Sequence, residues 1–280
     1  MIAIQNITKA KQKWQNALYS YVENIFKTTW LPSHDVWHSV RVWEFAKSLI
    51  LVMEKNEIPF SFKETEELMI ASYFHDTGMS LTLDPVHGKH SREICHKFLK
   101  TQPSLTQHQK EKILDAIEFH DDKSYRNEIF QNQKKLLPWL CIADDLDAFG
   151  NIGIYRFWEI YNLRHFSESQ MPEKIIRSLG NRINYFSDAY PFRDDFYNSQ
   201  IKRSNRTADF YIRMKKEIKD SGNLKSVSFT GKIIQIFRDL ILLRKIRPEQ
   251  LYSFVQKEIS DPEIIDFFRI YNDEDALRSL

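Results

Sequence analysis

Apolar residues recur along this chain at intervals of three and four, the period of a helix buried along one face. "LPSHDVWHSVRVWEFAKSLILVMEKN" carries Val42, Phe45, Leu49 and Met53 at that spacing, and opens on Pro32 with Ser33 as the expected N-cap. "SFKETEELMIASYFHDTGM" has acids in its first turns, where the helix dipole favours them, and Gly78 where a C-cap is expected. "HGKHSREICHKFLK" reads as a short amphipathic helix. "TQHQKEKILDAIEFH" opens with a capping box, Thr106 to Gln109, and sets Ile113, Ala116, Ile117 and His120 on one stripe. "LPWLCIADDLDAFG" is expected to start at Pro138 and stop at Gly150. No segment alternates with the period of a strand, and no internal repeat is evident.

Composition points the same way. Seven glycines and nine prolines in 280 residues are too few for the tight turns of a sandwich or barrel, so the expected fold class is all-α. Near "SESQMPEK" histidines and clustered carboxylates give way to Arg, Lys, Tyr and Phe. The expected organisation is a helical domain over residues 1–165 and a helical C-terminal extension over 166–280, in which "YPFRDD" and "DSGNLKS" read as loops. A last acidic helix, "SDPEIIDFFRIYNDEDAL", is suited either to packing on the core or to a homodimer contact.

Charge and cysteine usage narrow the setting. A formal net charge of +2 does not mark a general nucleic-acid binder. Cys95 and Cys141 are too few for a disulfide framework and fit a reducing compartment. "MIAIQNITKAKQKW" meets Lys9, Lys11 and Lys13 before any apolar stretch, unlike a secretory signal. The apolar run "IIQIF" is broken by Arg238 and Asp239, short of a membrane span. The expectation is a cytoplasmic protein without a membrane anchor.

Candidate chemistry lies where apolar stripes end. His38 precedes Val42 and Phe45 on their face; His75 follows Leu68 and Ala71; His120 follows Ile113 and Ile117; Asp144 lies between Leu140 and Ala148. Each of four helices thus points one imidazole or carboxylate inward. Burying such groups alone is costly, whereas a shared metal site would satisfy them together. The dipeptide His-Asp by itself is weak, since it occurs at His34, His75 and His120.

Company makes it specific. The order His38, His75-Asp76, Asp144 resembles the HD-domain superfamily of metal-dependent phosphohydrolases. "HDVWHSVRV" is similar to its HDxxHxxRV stretch, "FHDTGM…HGKHS" to FHDTG followed by HxxxS, and "ADDLDAFGNIGIYR" to a subgroup's AD-x-LDA-x-G-x-x-GI-x-R run. The likeness covers about residues 30 to 156.

The resemblance implies an all-α HD-domain bundle with His38, His75, Asp76 and Asp144 as ligands of a divalent transition metal. His87 and His120 stand where some members add histidines, so that one or two ions are held with Asp76 as a bridge. Mixed imidazole and carboxylate donors suit Mn, Fe, Co, Ni or Zn, with Mg also admitted. The implied reaction is attack of metal-bound hydroxide on a phosphoester of a small phosphorylated substrate such as a nucleotide. Candidate catalytic residues are Asp76, His34 and Asp147; candidate substrate-binding residues are Arg41, His90, Arg203 and Arg206. Asp145 is expected to be solvated, Cys141 to be a small core residue, and His96 and His108 to lie on the surface. A cyclic-dinucleotide branch has Lys where Met79 stands and a GYP motif absent after "HDDKSYRNE"; "TGMS" also lacks the acidic pair of a stringent-response branch. Two other readings stay open: a di-iron oxygenase on the same bundle, as in myo-inositol oxygenase, and a non-catalytic HD module that senses a ligand.

Overall fold

The computed structural model describes residues 2–122 and 136–275. Among them every regular element is helical, with twelve α-helices and no strand. They gather into two compact units, Met1–Leu146 and Asp147–Leu280.

The first unit contains α1 (Ile2–Phe26), α2 (Val36–Lys55), α3 (Phe62–Phe74), α4 (His87–Lys100), α5 (Gln107–Phe119) and α6 (Leu137–Asp147), whose last residue marks the division. Helix α1 buries a single stripe, Ala3, Ile7, Ala10, Trp14, Leu18 and Val22, against α3 and α2. Helix α3 is the axis: α1, α2, α4 and α5 all pack on it, and every residue from Thr65 to Phe74 is buried. A helix enclosed on all sides must neutralise its own acids. Glu66 accepts from Lys13 Nζ at 2.8 Å, Trp14 Nε1 at 3.0 Å and Gln109 Nε2 at 3.2 Å, and Glu67 takes Lys112 Nζ at 2.8 Å.

Local chemistry corrects several expected boundaries. The N-cap of α2 is Asp35, whose carboxylate accepts from the Trp37 amide at 2.9 Å; Ser33 lies in the preceding turn. Helix α3 ends at Phe74 with His75 as its cap, and Gly78 falls in a 3-10 turn, Thr77–Ser80. Its role there is close approach: a Cβ on Gly78 would overlap the His87 carbonyl oxygen, and its amide donates to Ser91 Oγ at 2.8 Å. The capping box of α5 forms as expected, Thr106 and Gln109 each accepting from the other's amide. Helix α6 begins at Leu137, with Pro138 in its first turn where a missing N–H costs nothing, and ends at Asp147. Gly150, left-handed at φ 81°, opens the next helix rather than closing this one.

The second unit contains α7 (Gly150–Leu163), α8 (Met171–Ala189), α9 (Asp195–Ser221), α10 (Phe229–Ile236) with a π-helical continuation (Phe237–Leu243), α11 (Leu251–Glu258) and α12 (Pro262–Asp275). Helix α7, buried from Gly150 to Ile160, is the axis here, packed by α9, α12 and α8. Tyr155, Trp158, Phe237 and Tyr271 fill the space around it with ring centroids 5.1 to 6.4 Å apart. The expected loops at "YPFRDD" and "DSGNLKS" separate α8 from α9 and α9 from α10. Within the described residues no helix is long and apolar enough to cross a membrane. Most of "HDDKSYRNE" beyond Asp122, and the end of "NDEDAL", lie outside the described residues.

Candidate metal centre

Two helices of the first unit deliver a histidine at the same place, their C-terminal cap. His75 caps α3 and His120 caps α5. The last carbonyls of a helix have no intrahelical partner, and each ring uses one of them. His75 Nδ1 lies 2.9 Å from the Ser72 carbonyl and His120 Nδ1 lies 2.6 Å from that of Ile117. His87, on the first turn of α4, is held instead by a loop carbonyl, Asp84 at 3.0 Å, which also accepts the His87 amide. A carbonyl can only accept, so each Nδ1 carries a proton and Nε2 is the nitrogen that exchanges a proton for a cation. This is how proteins orient histidine ligands, with the far nitrogen held by a backbone or carboxylate acceptor.

The Nε2 atoms converge on two carboxylates. Nε2 of His38 lies 3.0 Å from Nε2 of His75, 3.2 Å from Asp76 Oδ2 and 3.5 Å from Asp144 Oδ1. His75 Nε2 is 3.4 Å from the same Asp76 oxygen and 3.7 Å from Asp144 Oδ1. The other Asp76 oxygen, Oδ1, faces His120 Nε2 at 2.9 Å and His87 Nε2 at 3.3 Å. Asp76 therefore divides its two oxygens between two groups: His38, His75, Asp76 and Asp144, and Asp76, His87 and His120. Within each group the donor atoms lie within 4.8 Å of one another, and every residue is buried.

These spacings fit cations. Two donors about 2.1 Å from one ion stand roughly 3.0–3.4 Å apart at angles from octahedral to tetrahedral. Imidazole nitrogens and carboxylate oxygens this close need positive charge among them, supplied by protons or by a cation. Both groups can hold a metal ion, and the mixed nitrogen and oxygen donors suit first-row transition metals better than Ca.

Protons and cations compete for the same lone pairs. Burial lowers the pKa of His75, but Asp76 and then Asp144 outweigh it and the net shift is upward. Burial likewise favours a neutral Asp76, yet His75, His120, His38 and His87 hold its carboxyl well below the ordinary range. His87 is raised against burial to about 9, first by Asp76 and then by Asp121.

The remaining candidates fall into three situations. His34 is buried beside the first group, its Nδ1 2.6 Å from Ser33 Oγ and its ring centroid 5.1 Å from that of His38. Arg41 is buried on α2, one turn beyond His38. His90 is outside both groups, its side chain 38 % exposed and 4.0 Å from Glu93. Asp147 is fully buried and paired with Arg156 at 3.2 Å. Within the second unit Arg203 donates to the Phe149 carbonyl at 2.8 Å and Arg206 to Glu274 at 2.8 Å. Asp145 is buried, contrary to expectation, while Cys141 is the expected core residue, its thiol donating to the His120 carbonyl at 3.3 Å. His96 and His108 are exposed as expected.

Sequence reading did not reveal the three carbonyls that aim the rings, nor Asp121, whose Oδ2 lies 3.9 Å from His87 Nε2. The carbonyls had a signal: each acceptor is three residues before its histidine, at a helix end or entry.

Comparison with known proteins agrees with this geometry. No curated protein and no solved structure matches the chain. A family model described as HD-CE matches residues 18–216, well over half of the 280 residues and inclusive of both His/Asp groups. The chain belongs to the HD-CE family, an HD-type domain family.

Proposed function

We propose that the protein is a metal-dependent phosphohydrolase acting on a nucleotide or another small phosphorylated substrate. The observation that carries this reading is the aimed donor set. Three imidazoles, each held by its own carbonyl three residues back, turn Nε2 on Asp76, whose two oxygens serve two adjacent groups.

On this reading His38, His75, Asp76 and Asp144 hold one divalent cation, and Asp76, His87 and His120 a second. Bound there, the cations would supply an acidified water as nucleophile and positive charge against the phosphoryl oxygens. The chain's own groups do the rest. The buried histidines exclude bulk water and keep the donors fixed without reorganisation. His34, anchored through Nδ1 to Ser33, holds a proton at Nε2 for the leaving oxygen. Arg41, one turn past His38, holds a phosphoryl oxygen by its guanidinium. Met79 in place of Lys directs the substrate away from cyclic dinucleotides.

The shared Asp76 also supports a second reading, O₂-dependent oxidation at a di-iron pair. One experiment separates them. Purified protein is assayed on phosphomonoesters, phosphodiesters and nucleotides with Mn, Co, Ni, Mg or Fe, in air and anaerobically. Phosphate release that persists without O₂ and stops with a chelator is the expected result. Substrate consumption that strictly requires O₂ and releases no phosphate would replace the first reading by the second.

A further inference from the structure

The two His/Asp groups are unequal in charge. The first has Asp144 to itself and a share of Asp76; the second has only the other share of Asp76. Two divalent cations would bring four positive charges to two carboxylates, with the deficit concentrated at the second group. Asp121 stands at the edge of that group. Its Oδ2 lies 3.9 Å from His87 Nε2, the nitrogen turned toward Asp76 while Nδ1 contacts the Asp84 carbonyl. It lies outside the set of donor atoms within 4.8 Å of one another, and its side chain is 32 % exposed, so it meets the group from the solvent side.

Its position in the chain is equally telling. Asp121 follows His120 at the end of α5 as Asp76 follows His75 at the end of α3, and the two helices have the same length and the same capping box. Asp76 turns toward its own His75 at 3.4 Å, whereas Asp121 turns toward His87, the other histidine of the second group, at 3.9 Å.

We propose that Asp121 is a positioning residue of the second cation: its carboxylate lies just beyond the three donors, completes their charge and holds water at their open edge. The proposal rests on the two-cation reading above and adds a residue to it. Carboxylates in this place typically change metal affinity by 10- to 100-fold when removed.

The test measures binding rather than turnover. Chelator-treated wild type, Asp121→Asn, Asp121→Ala and Asp121→Glu are titrated with Mn²⁺ by calorimetry, and metal content is determined after dialysis against Mn²⁺. The wild type should take two ions per chain. Asp121→Asn and Asp121→Ala should keep the tighter ion with unchanged Kd and bind the weaker one about 10- to 100-fold less tightly. Asp121→Glu should recover part of that loss. The unchanged tighter ion doubles as the control for folding. Two ions bound by Asp121→Ala as tightly as by the wild type would overturn the role of Asp121 alone. One ion in the wild type would overturn the two-cation reading and this proposal with it.

Discussion

Helices α3 and α5 are built alike and end differently. Each spans thirteen residues, opens with a capping box and closes on Phe-His-Asp, with the ring proton given to the carbonyl three residues back. Yet the Asp76 side chain is 7 % exposed and reaches both groups, whereas the Asp121 side chain is 32 % exposed and, among the described histidines, reaches His87 alone. The difference arises outside the dipeptide. Helix α3 is buried on all sides, and the turn after it, Thr77–Ser80, docks on α4 through Gly78. Helix α5 buries one face, and Asp122 follows its dipeptide instead of Thr. A His-Asp pair at a helix end aims a ring; the burial of the next turn decides whether the carboxylate reaches both groups.

Removing the carboxylate that distinguishes α3 gives the largest expected effect. Asp76→Ala takes an oxygen from both groups, leaving His38 and His75 with Asp144 alone and His87 and His120 without their shared carboxylate. It should lose both metals and lower phosphate release more than about 100-fold, beyond the usual cost of a supporting residue. His120→Ala removes a donor from one group only and should retain one metal. Elemental analysis of dialysed protein separates the two. Equal metal loss in both variants would show that α3 and α5 are not distinct in role.

Acidity should sharpen the contrast next. The pKa of His87 is raised from 6.5 to about 9, so in chelator-treated protein its stabilising pairing with Asp76 is complete below pH 6.5 and fades as pH rises through 9. Asp76 is shifted the other way: its contribution is present above 3.8 and lost as pH falls through its lower folded value. Chelated protein should therefore melt highest between about pH 4 and 6.5. Cations must displace the His87 proton, so affinity at the second group should rise about tenfold per pH unit up to 9. A second-group affinity that is flat from pH 7 to 9 would contradict this.

Gly88 joins the helices that carry His87 and His120. A Cβ there would overlap the Glu118 carbonyl oxygen, so Gly88→Ala must push α4 away from α5. Overpacking of this kind costs about 1–3 kcal/mol. Thermal melting should register that loss, and the second metal should weaken more than the first, because His38, His75 and Asp144 lie on neither helix.

Much of this was legible in the chain, for definable reasons. Period-3.6 stripes mark the buried faces of α2 and α5, while α3 is buried all round, and a stripe ending in His or Asp located His38, His75, His120 and Asp144. His87 was harder, because "DPVHGKHS" has no stripe to place it; only the docking of Gly78 and Ser91 shows why it is enclosed. Caps were misplaced at Ser33 and Gly78 because several residues there can cap, and tertiary contacts choose between them. Asp145 points off the face shared by Asp144 and Asp147, which suggested solvent, yet it too is buried. Arg203 and Arg206 were read from local charge, which carries no information about whether Glu274 or a backbone carbonyl lies within reach. The likeness of α3 and α5 escaped detection as a repeat because it is confined to their first and last residues.

Those first residues provide the smallest and most discriminating comparison. Ser61 and Thr106 each accept from the amide three residues on, with Glu64 and Gln109 reciprocating. Losing such a cap costs about 1 kcal/mol in either helix. Ser61→Ala frees the first turn of a helix that α1, α2, α4 and α5 hold along its length, so His75 at the far end should stay in place. Thr106→Ala loosens a helix packed on one face, in which Gln109 also donates to the buried Glu66 at 3.2 Å. Similar falls in melting temperature should therefore accompany different metal responses: unchanged in Ser61→Ala, a few-fold weaker for the second ion in Thr106→Ala. Identical metal binding in both variants would mean that α5 is held as firmly as α3, and that the exposure of Asp121 reflects its own turn rather than its helix.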